Sequence, residues 1–400
     1  MSETSIQAFA RADGGKGIRN LVVVAYLVEC AHHVARAVTV PFEGDGVHLI
    51  GFAGCYPNGY AEEMMEALTT HPNVGAVLLV SLGCEQFNRQ KLMKRVEASG
   101  RPVELLVIQK AGGTRRTIEA GRAWVEEQLL VLAQTPRMPM GLDELIVGTI
   151  CGGSDGTSGL TANPAIGKAA DILVDAGARV MFEELGELFG CEAHMAARAA
   201  TPELGRAIMD AMDKSRRVYG MLDQSSFGGG NITGGLSTIE EKSIGAYTKS
   251  GTRPIVGMLK PGVKPTAKGL YLLDMIGDGP VRWGFPNIND NAEITEMIAS
   301  GAHLSLFSTG RGSVVGSAIS PVIKVCANPE TYRRMADDMD VDAGRILEGR
   351  GTLDEVGREI VDLVTRVAGG EPTKSEALGH QEFVLTYKSF APLGPACLPA

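Results

Sequence analysis

Aromatic side chains are scarce in this 400-residue chain, with 2 Trp, 8 Tyr and 11 Phe against 51 Gly. A core of this size must therefore rest on aliphatic packing, with many tight loops between its elements. No apolar run is long enough to span a bilayer, because Gly or a charge interrupts each one. The N-terminus lacks the basic-then-apolar order of a secretory leader. The 7 Cys are odd in number and dispersed, a poor disulfide framework for a chain of this length. Reduced thiols in the cytoplasm, some of them metal ligands, suit that pattern better. Cationic charge is also short. The balance of 38 Lys and Arg against 47 Asp and Glu gives −9, which argues against nucleic acid or an anionic membrane as the main partner. It leaves room for an anionic small molecule held by local Arg and Lys. Walker A, HExxH, GxSxG and a helix-opening GxGxxG are missing, so kinase and hydride-transfer chemistry find little support.

What is present is a strict alternation. Residues 21–28, 47–52, 74–82 and 103–108 read as buried strands, each followed by a helical pattern. Such βαβ order predicts a parallel sheet with right-handed crossovers. Residues 1–140 are therefore expected to form an open α/β, Rossmann-like domain. The segment 135–141 carries two prolines and reads as a linker. Residues 141–400 are expected to form a larger α/β catalytic domain with long glycine-rich loops. One of these, 225–236, reads as an irregular active-site loop or lid. The acidic stretch 336–344 reads as a loop or helix start.

Residues 151–164, CGGSDGTSGLTANP, follow the apolar run 145–150 and precede a helical pattern. Ligands of open α/β sheets bind at such strand-to-helix connections. A plain turn with a helix cap at Ser158, Thr161 or Asn163 accounts for two or three of these residues and leaves the rest unexplained. Cys151, with Ser154, Asp155, Thr161 and Asn163 beyond it, is therefore expected to line a site.

Three thiols share one context: Cys55, Cys84 and Cys151 each follow an apolar strand beside a glycine. Converging at strand ends, they can hold an iron–sulfur cluster with one open iron, or contribute to a single Fe(II) or Zn(II) ion. Taken singly, each is better explained as a small buried apolar residue. Glu183, Glu184, Glu187, Glu192 and His194 form a second group, with Glu184 and Glu187 on one helical face. They suit a divalent cation or acid–base work, and equally a solvated helix start. Arg311 lies between glycines at a strand end, fit to clamp a carboxylate or sulfonate, with Arg19 and Lys374 as weaker anion ligands. His380 beside Glu382 is a candidate proton carrier.

The stretches 11–20, 151–164, 308–325 and 337–344 resemble the altronate and galactarate dehydratase family of sugar-acid lyases, and together they span nearly the whole chain. Within the family, residues 25–33, 54–60, 379–383 and 394–399 are most similar to the large subunit of its sulfo-lyase branch. That resemblance implies cleavage of (2R)-3-sulfolactate to pyruvate and sulfite with an iron requirement, either Fe2+ or a cluster. Dehydration of a sugar acid is the alternative. An oligomer is expected. Single-chain dehydratases carry a small domain ahead of the 11–20 motif, so a separate small subunit is expected as partner. A base must remove the C2 proton, and His33, Glu184 and His380 all stand open for that role. A non-enzymatic scaffold subunit is the third reading, disfavoured because the loop chemistry lies on this chain.

Overall fold

The computed structural model describes residues 6–221, 226–278, 289–385 and 387–388. The motif at 394–399 lies outside them. Among the described residues, no helix is long and apolar enough to cross a membrane.

The chain is α/β, as the alternation predicts. The strands in chain order are β1 (Ile6–Ala10), β2 (Lys16–Gly17), β3 (Leu21–Tyr26), β4 (Val47–Gly51), β5 (Val74–Ser81), β6 (Val103–Val107), β7 (Arg137–Met140), β8 (Ile146–Cys151), β9 (Arg179–Phe182), β10 (Ile255–Leu259), β11 (Gly269–Leu273), β12 (Leu304–Thr309), β13 (Val322–Cys326) and β14 (Val341–Asp342). A four-stranded parallel sheet runs in the order β4-β3-β5-β6, and a seven-stranded parallel sheet in the order β10-β11-β9-β8-β12-β13-β14.

Three expectations need correction. The segment 135–141 is more than a linker, because β7 pairs antiparallel with β1 over Phe9–Arg137 to Ile6–Met140. Its prolines sit where the sheet tolerates them, since β7 is an edge strand. Within 225–236, Gly229–Thr233 is a short helix. The acidic stretch contributes β14, paired parallel with β13.

β8 lies in the interior of its sheet and is buried throughout. That is why it reads as an unbroken apolar run rather than an alternation. Val147 and Cys151 face one core, built with the Ala162–Asp175 and Leu353–Ala368 helices. Ile146 and Ile150 face another, shared with Phe307, Met297 and residues of β3, β4 and β5. The second core therefore joins the two parallel sheets. From β8 the chain steps to β9 on one side, and β12 returns on the other. Such a reversal opens a crevice at the carboxyl ends of the strands, here those of β8 and β12.

Candidate functional site

At the end of β8 and of its neighbour β9, three ligand-type side chains meet. The Cys151 Sγ and the carboxylates of Glu184 and Glu187 place their donor atoms within 4.8 Å of one another. The Cys151 thiol donates to Glu187 Oε2 at 3.1 Å and approaches Glu184 Oε1 at 3.5 Å, while its amide donates to Glu184 Oε2 at 3.0 Å. The backbone is bent to make this possible. Glu184 holds φ at 76°, the one left-handed non-glycine among the described residues, and opens the 3-10 turn Leu185–Glu187. Local strain of this kind persists where the surroundings over-determine it, often at functional sites. Gly186 inside the turn lets the Tyr219 ring pack close, since a Cβ there would lie 2.1 Å from Tyr219 Cζ and push the ring aside.

Two lysines that the sequence reading passed over complete the group. Lys249, fully buried, donates to the Cys151 sulfur at 3.2 Å and ion-pairs with Glu184. Lys242 pairs with Glu187 and with the Ser226 carbonyl. Burial, with the Glu187 charge next in size, pushes the Cys151 thiol up to about 12. On the other side of the strand ends, Asp290 and Glu293 project from the Asp290–Ala299 helix. Burial and then Glu187 raise Asp290 to about 6; burial, Glu187 and Asp290 raise Glu293 to about 8. Glu183 is also raised, first by burial and then by Glu296 and Glu293.

The donor set fits a divalent ion. One thiolate and two carboxylates suit Fe(II) or a neighbour in its row, whereas a cluster requires three or four thiolates. The high thiol pKa is no obstacle, because a bound cation drives deprotonation of its ligands. The lysines now neutralise the charge that such an ion would meet.

The other expected residues fall in several places. Cys55 and Cys84 are exposed on loops after β4 and β5 of the four-stranded sheet, tied by a Gln86 amide donating to the Cys55 carbonyl at 2.9 Å. Cys151 belongs to the other sheet. Asp155 is buried and accepts from the Thr157 hydroxyl at 2.6 Å, the Thr157 amide at 2.9 Å, the Ser158 amide at 3.1 Å and Asn328 at 3.1 Å. Thr161 donates to the Ala327 carbonyl at 2.8 Å, and Asn163 accepts from Ser308. These side chains brace the loop on β12 and β13. Ser154 is buried in the same loop. Arg311 is exposed, its amide bonded to the Gly153 carbonyl at 2.9 Å and its guanidinium beside Gly230. Arg19 forms a two-pronged bond to Glu376 at 2.7 and 2.8 Å. The Lys374 ammonium bonds the Ala336 carbonyl and sits 5.7 Å from the centre of the Tyr332 ring. His33 is exposed on the Glu29–Thr39 helix. His380 is half-buried against Gly316, with no partner for Nδ1 among the described residues. Glu192 pairs with Arg216, and His194 lies near Tyr247. An open cavity of about 390 Å³ between Tyr26, His32, Arg36 and Phe383 contains none of the thiol–carboxylate group, so its size alone does not mark it as the site.

Lys242 and Lys249 lie in 238–250, which reads as a short helical piece with no motif in it. Asp290, Glu293 and Glu296 escaped notice for a related reason. Every residue from 292 to 300 is buried, so the helix has no solvated face against which its acids would stand out.

An α/β chain with acids, a thiol and lysines at the strand ends of a parallel sheet has the equipment of a lyase. The chain belongs to the galactarate and altronate dehydratase family. The family's description "D-galactarate/Altronate dehydratase, C-terminal" matches residues 142–390, and "D-galactarate dehydratase/Altronate hydrolase, second domain" matches residues 8–133. The chain is 34% identical to (2R)-sulfolactate sulfo-lyase subunit beta of Chromohalobacter salexigens, over 94% of this chain and 96% of that protein. It is 32% identical to galactarate dehydratase (L-threo-forming) of Escherichia coli, over 92% of this chain and 73% of that protein. Altronate dehydratase of the same organism is 29% identical, over 96% and 78%. These relatives are lyases, and so is this chain.

Proposed function

We propose that the chain is the catalytic subunit of a carbon–sulfur lyase that eliminates sulfite from (2R)-3-sulfolactate to leave pyruvate. The buried thiol and two carboxylates beside two lysines support this reading most strongly, together with 34% identity extending over 96% of a sulfo-lyase subunit. That relative's name marks it as one subunit of a larger assembly, and by this likeness we assign the chain a small partner subunit. The 29–32% identities to altronate and galactarate dehydratases favour the second reading, loss of water from a sugar acid. Both reactions share the chemistry of proton removal beside a carboxylate and departure of a group from C3. We also assign residues 1–140 and 141–400 to two domains, with the chemistry on the second, in cytoplasmic enzyme.

Cys151, Glu184 and Glu187 would hold an Fe(II) ion. Such an ion, when bound, supplies Lewis-acid stabilisation to the substrate's carboxylate and 2-hydroxyl. The chain does the remaining work. Lys249 and Lys242 offset the negative charge that an anionic substrate adds to three acidic ligands. The exposed Arg311 guanidinium would bind the sulfonate, since most backbone amides of 152–161 already donate within the fold, Gly152 to Ser308 and Gly156 to Gly234 among them. Asp155, Thr161 and Asn163 keep that loop in shape. Burial at the crevice excludes water from the carbanion.

The test is an anaerobic assay of iron-loaded protein with its small subunit. Sulfite release from sulfolactate is the expected result. A 2-keto-3-deoxy product from altronate or galactarate without sulfite release would establish the second reading instead.

A further inference from the structure

Gly152 follows the buried thiol, and its lack of a side chain has a specific cause. A Cβ there would lie 2.2 Å from Asp290 Oδ2 and 2.5 Å from Phe307 Cζ. The Asp290 carboxyl thus rests directly over the backbone of the residue after Cys151, against an aromatic edge. It comes from the first turn of the Asp290–Ala299 helix, capped by Asn289, whose side chain accepts from the Ala292 amide. The helix packs along β8, with Met297 beside Gly148 and Asp290 beside Gly152 at the strand's carboxyl end, and is buried from residue 292 to 300. Its foundation is rigid while its first acid is only partly covered. Cys151 faces one core and the Asp290–Ala299 helix packs in the other, so a substrate at the crevice would meet the thiol and Glu184 on one flank and the Asp290 carboxyl, beside Gly152, on the other.

We propose that Asp290 is the base that takes the C2 proton in the elimination assigned above. This rests on the proposed function and adds to it the group that moves the proton. The Asp290 carboxylate accepts the proton from C2. The C2–H electron pair becomes the C2=C3 bond, and the C3–S pair departs with sulfite. For a sugar acid the C3–O pair departs instead, and the proton on Asp290 is delivered to the leaving hydroxide to make water. With sulfolactate, the proton passes to solvent, and the enol product gains one at C3 and gives up its O–H proton on becoming a ketone.

The surroundings agree with this assignment. Glu187, Lys242, Lys249 and Glu293 are the charged groups that act on Asp290. Its carboxyl is raised to about 6, so it is largely ionised at neutral pH yet basic enough to accept a proton, while Glu293, at about 8, keeps its own.

The experiment compares wild type, Asp290→Asn, Asp290→Ser and Asp290→Glu as iron-loaded full chains with the small subunit, on sulfolactate, altronate and galactarate. For whichever substrate the wild type converts, kcat of Asp290→Asn and Asp290→Ser should fall about 10²–10⁴-fold, with KM changed only a few-fold. Bound iron should equal that of wild type. Asp290→Glu should keep partial activity with a displaced acid limb in its pH profile. Activity of Asp290→Asn within tenfold of wild type overturns the assignment, as does loss of iron in parallel with activity. If the wild type converts none of the three substrates, the proposed function falls, and the assignment with it.

Discussion

The two parallel sheets carry the same local signature at their strand ends, a thiol after an apolar strand beside a glycine, in opposite surroundings. On the four-stranded sheet, Cys55 and Cys84 are exposed. On the seven-stranded sheet, Cys151 is buried against two carboxylates and a lysine. A strand-end thiol becomes useful chemistry when neighbouring elements bring charge to it and exclude water. Of the three thiols Cys151 has such neighbours, because the strained turn after β9 delivers Glu184 and Glu187, and the segment before β10 delivers Lys249.

The strongest way to break the comparison is to remove the charge that sets Cys151 apart. Lys249→Met leaves the Glu184 carboxylate buried without its partner, and such a break costs about 3–5 kcal/mol. Chemical denaturation should show that loss, with lyase activity abolished. Unchanged stability would mean that the ion pair is not the organising contact. Next in size is Lys242→Met. Lys242 holds one oxygen of Glu187 while the Cys151 thiol holds the other, and loss of a ligand's supporting partner should weaken iron affinity roughly 10- to 100-fold, read by titration with Fe2+.

Much of this contrast was legible in the sequence. The alternating apolar runs and punctuating glycines announce parallel strands, and residues 151–164 announce a loop too polar for its position. The acids at 184 and 187 were visible as a pair. The partnership of Cys151 with them was not, because sequence spacing does not reveal that β8 and β9 are adjacent while β4 and β5 belong to another sheet. Asp155 and Thr161 looked like ligands for a similar reason. Hydroxyls and carboxylates that brace a loop have the composition of those that bind substrate. The lysines were hidden because a buried cation is identified by its partners, which lie far away in the chain.

A smaller effect concerns the junction between the sheets. His303 is buried, accepts from the Ile146 amide at 3.0 Å and stacks edge-on with His71. Burial, above all, lowers its pKa from 6.5 to about 4. The unfolded chain therefore binds a proton that the folded chain does not. This contribution to stability is complete above pH 6.5 and declines as pH falls from there toward 4. Denaturation midpoints measured across that window should fall with acidification, and His303→Gln should flatten the slope. Smallest of all is the expected effect of Cys55→Ser and Cys84→Ser. Exposed substitutions of this kind shift stability by about 0.5 kcal/mol or less, and activity should remain within twofold of wild type. A large loss in either variant would make the two rims alike.

The most direct test of the account counts iron and acid-labile sulfide in anaerobically loaded wild type, Cys151→Ser and the Cys55→Ser/Cys84→Ser double variant. If the buried rim holds the metal, wild type and the double variant retain iron without sulfide and Cys151→Ser loses it. Iron accompanied by sulfide, lost in the double variant, would contradict the account and place the cofactor on the exposed thiols.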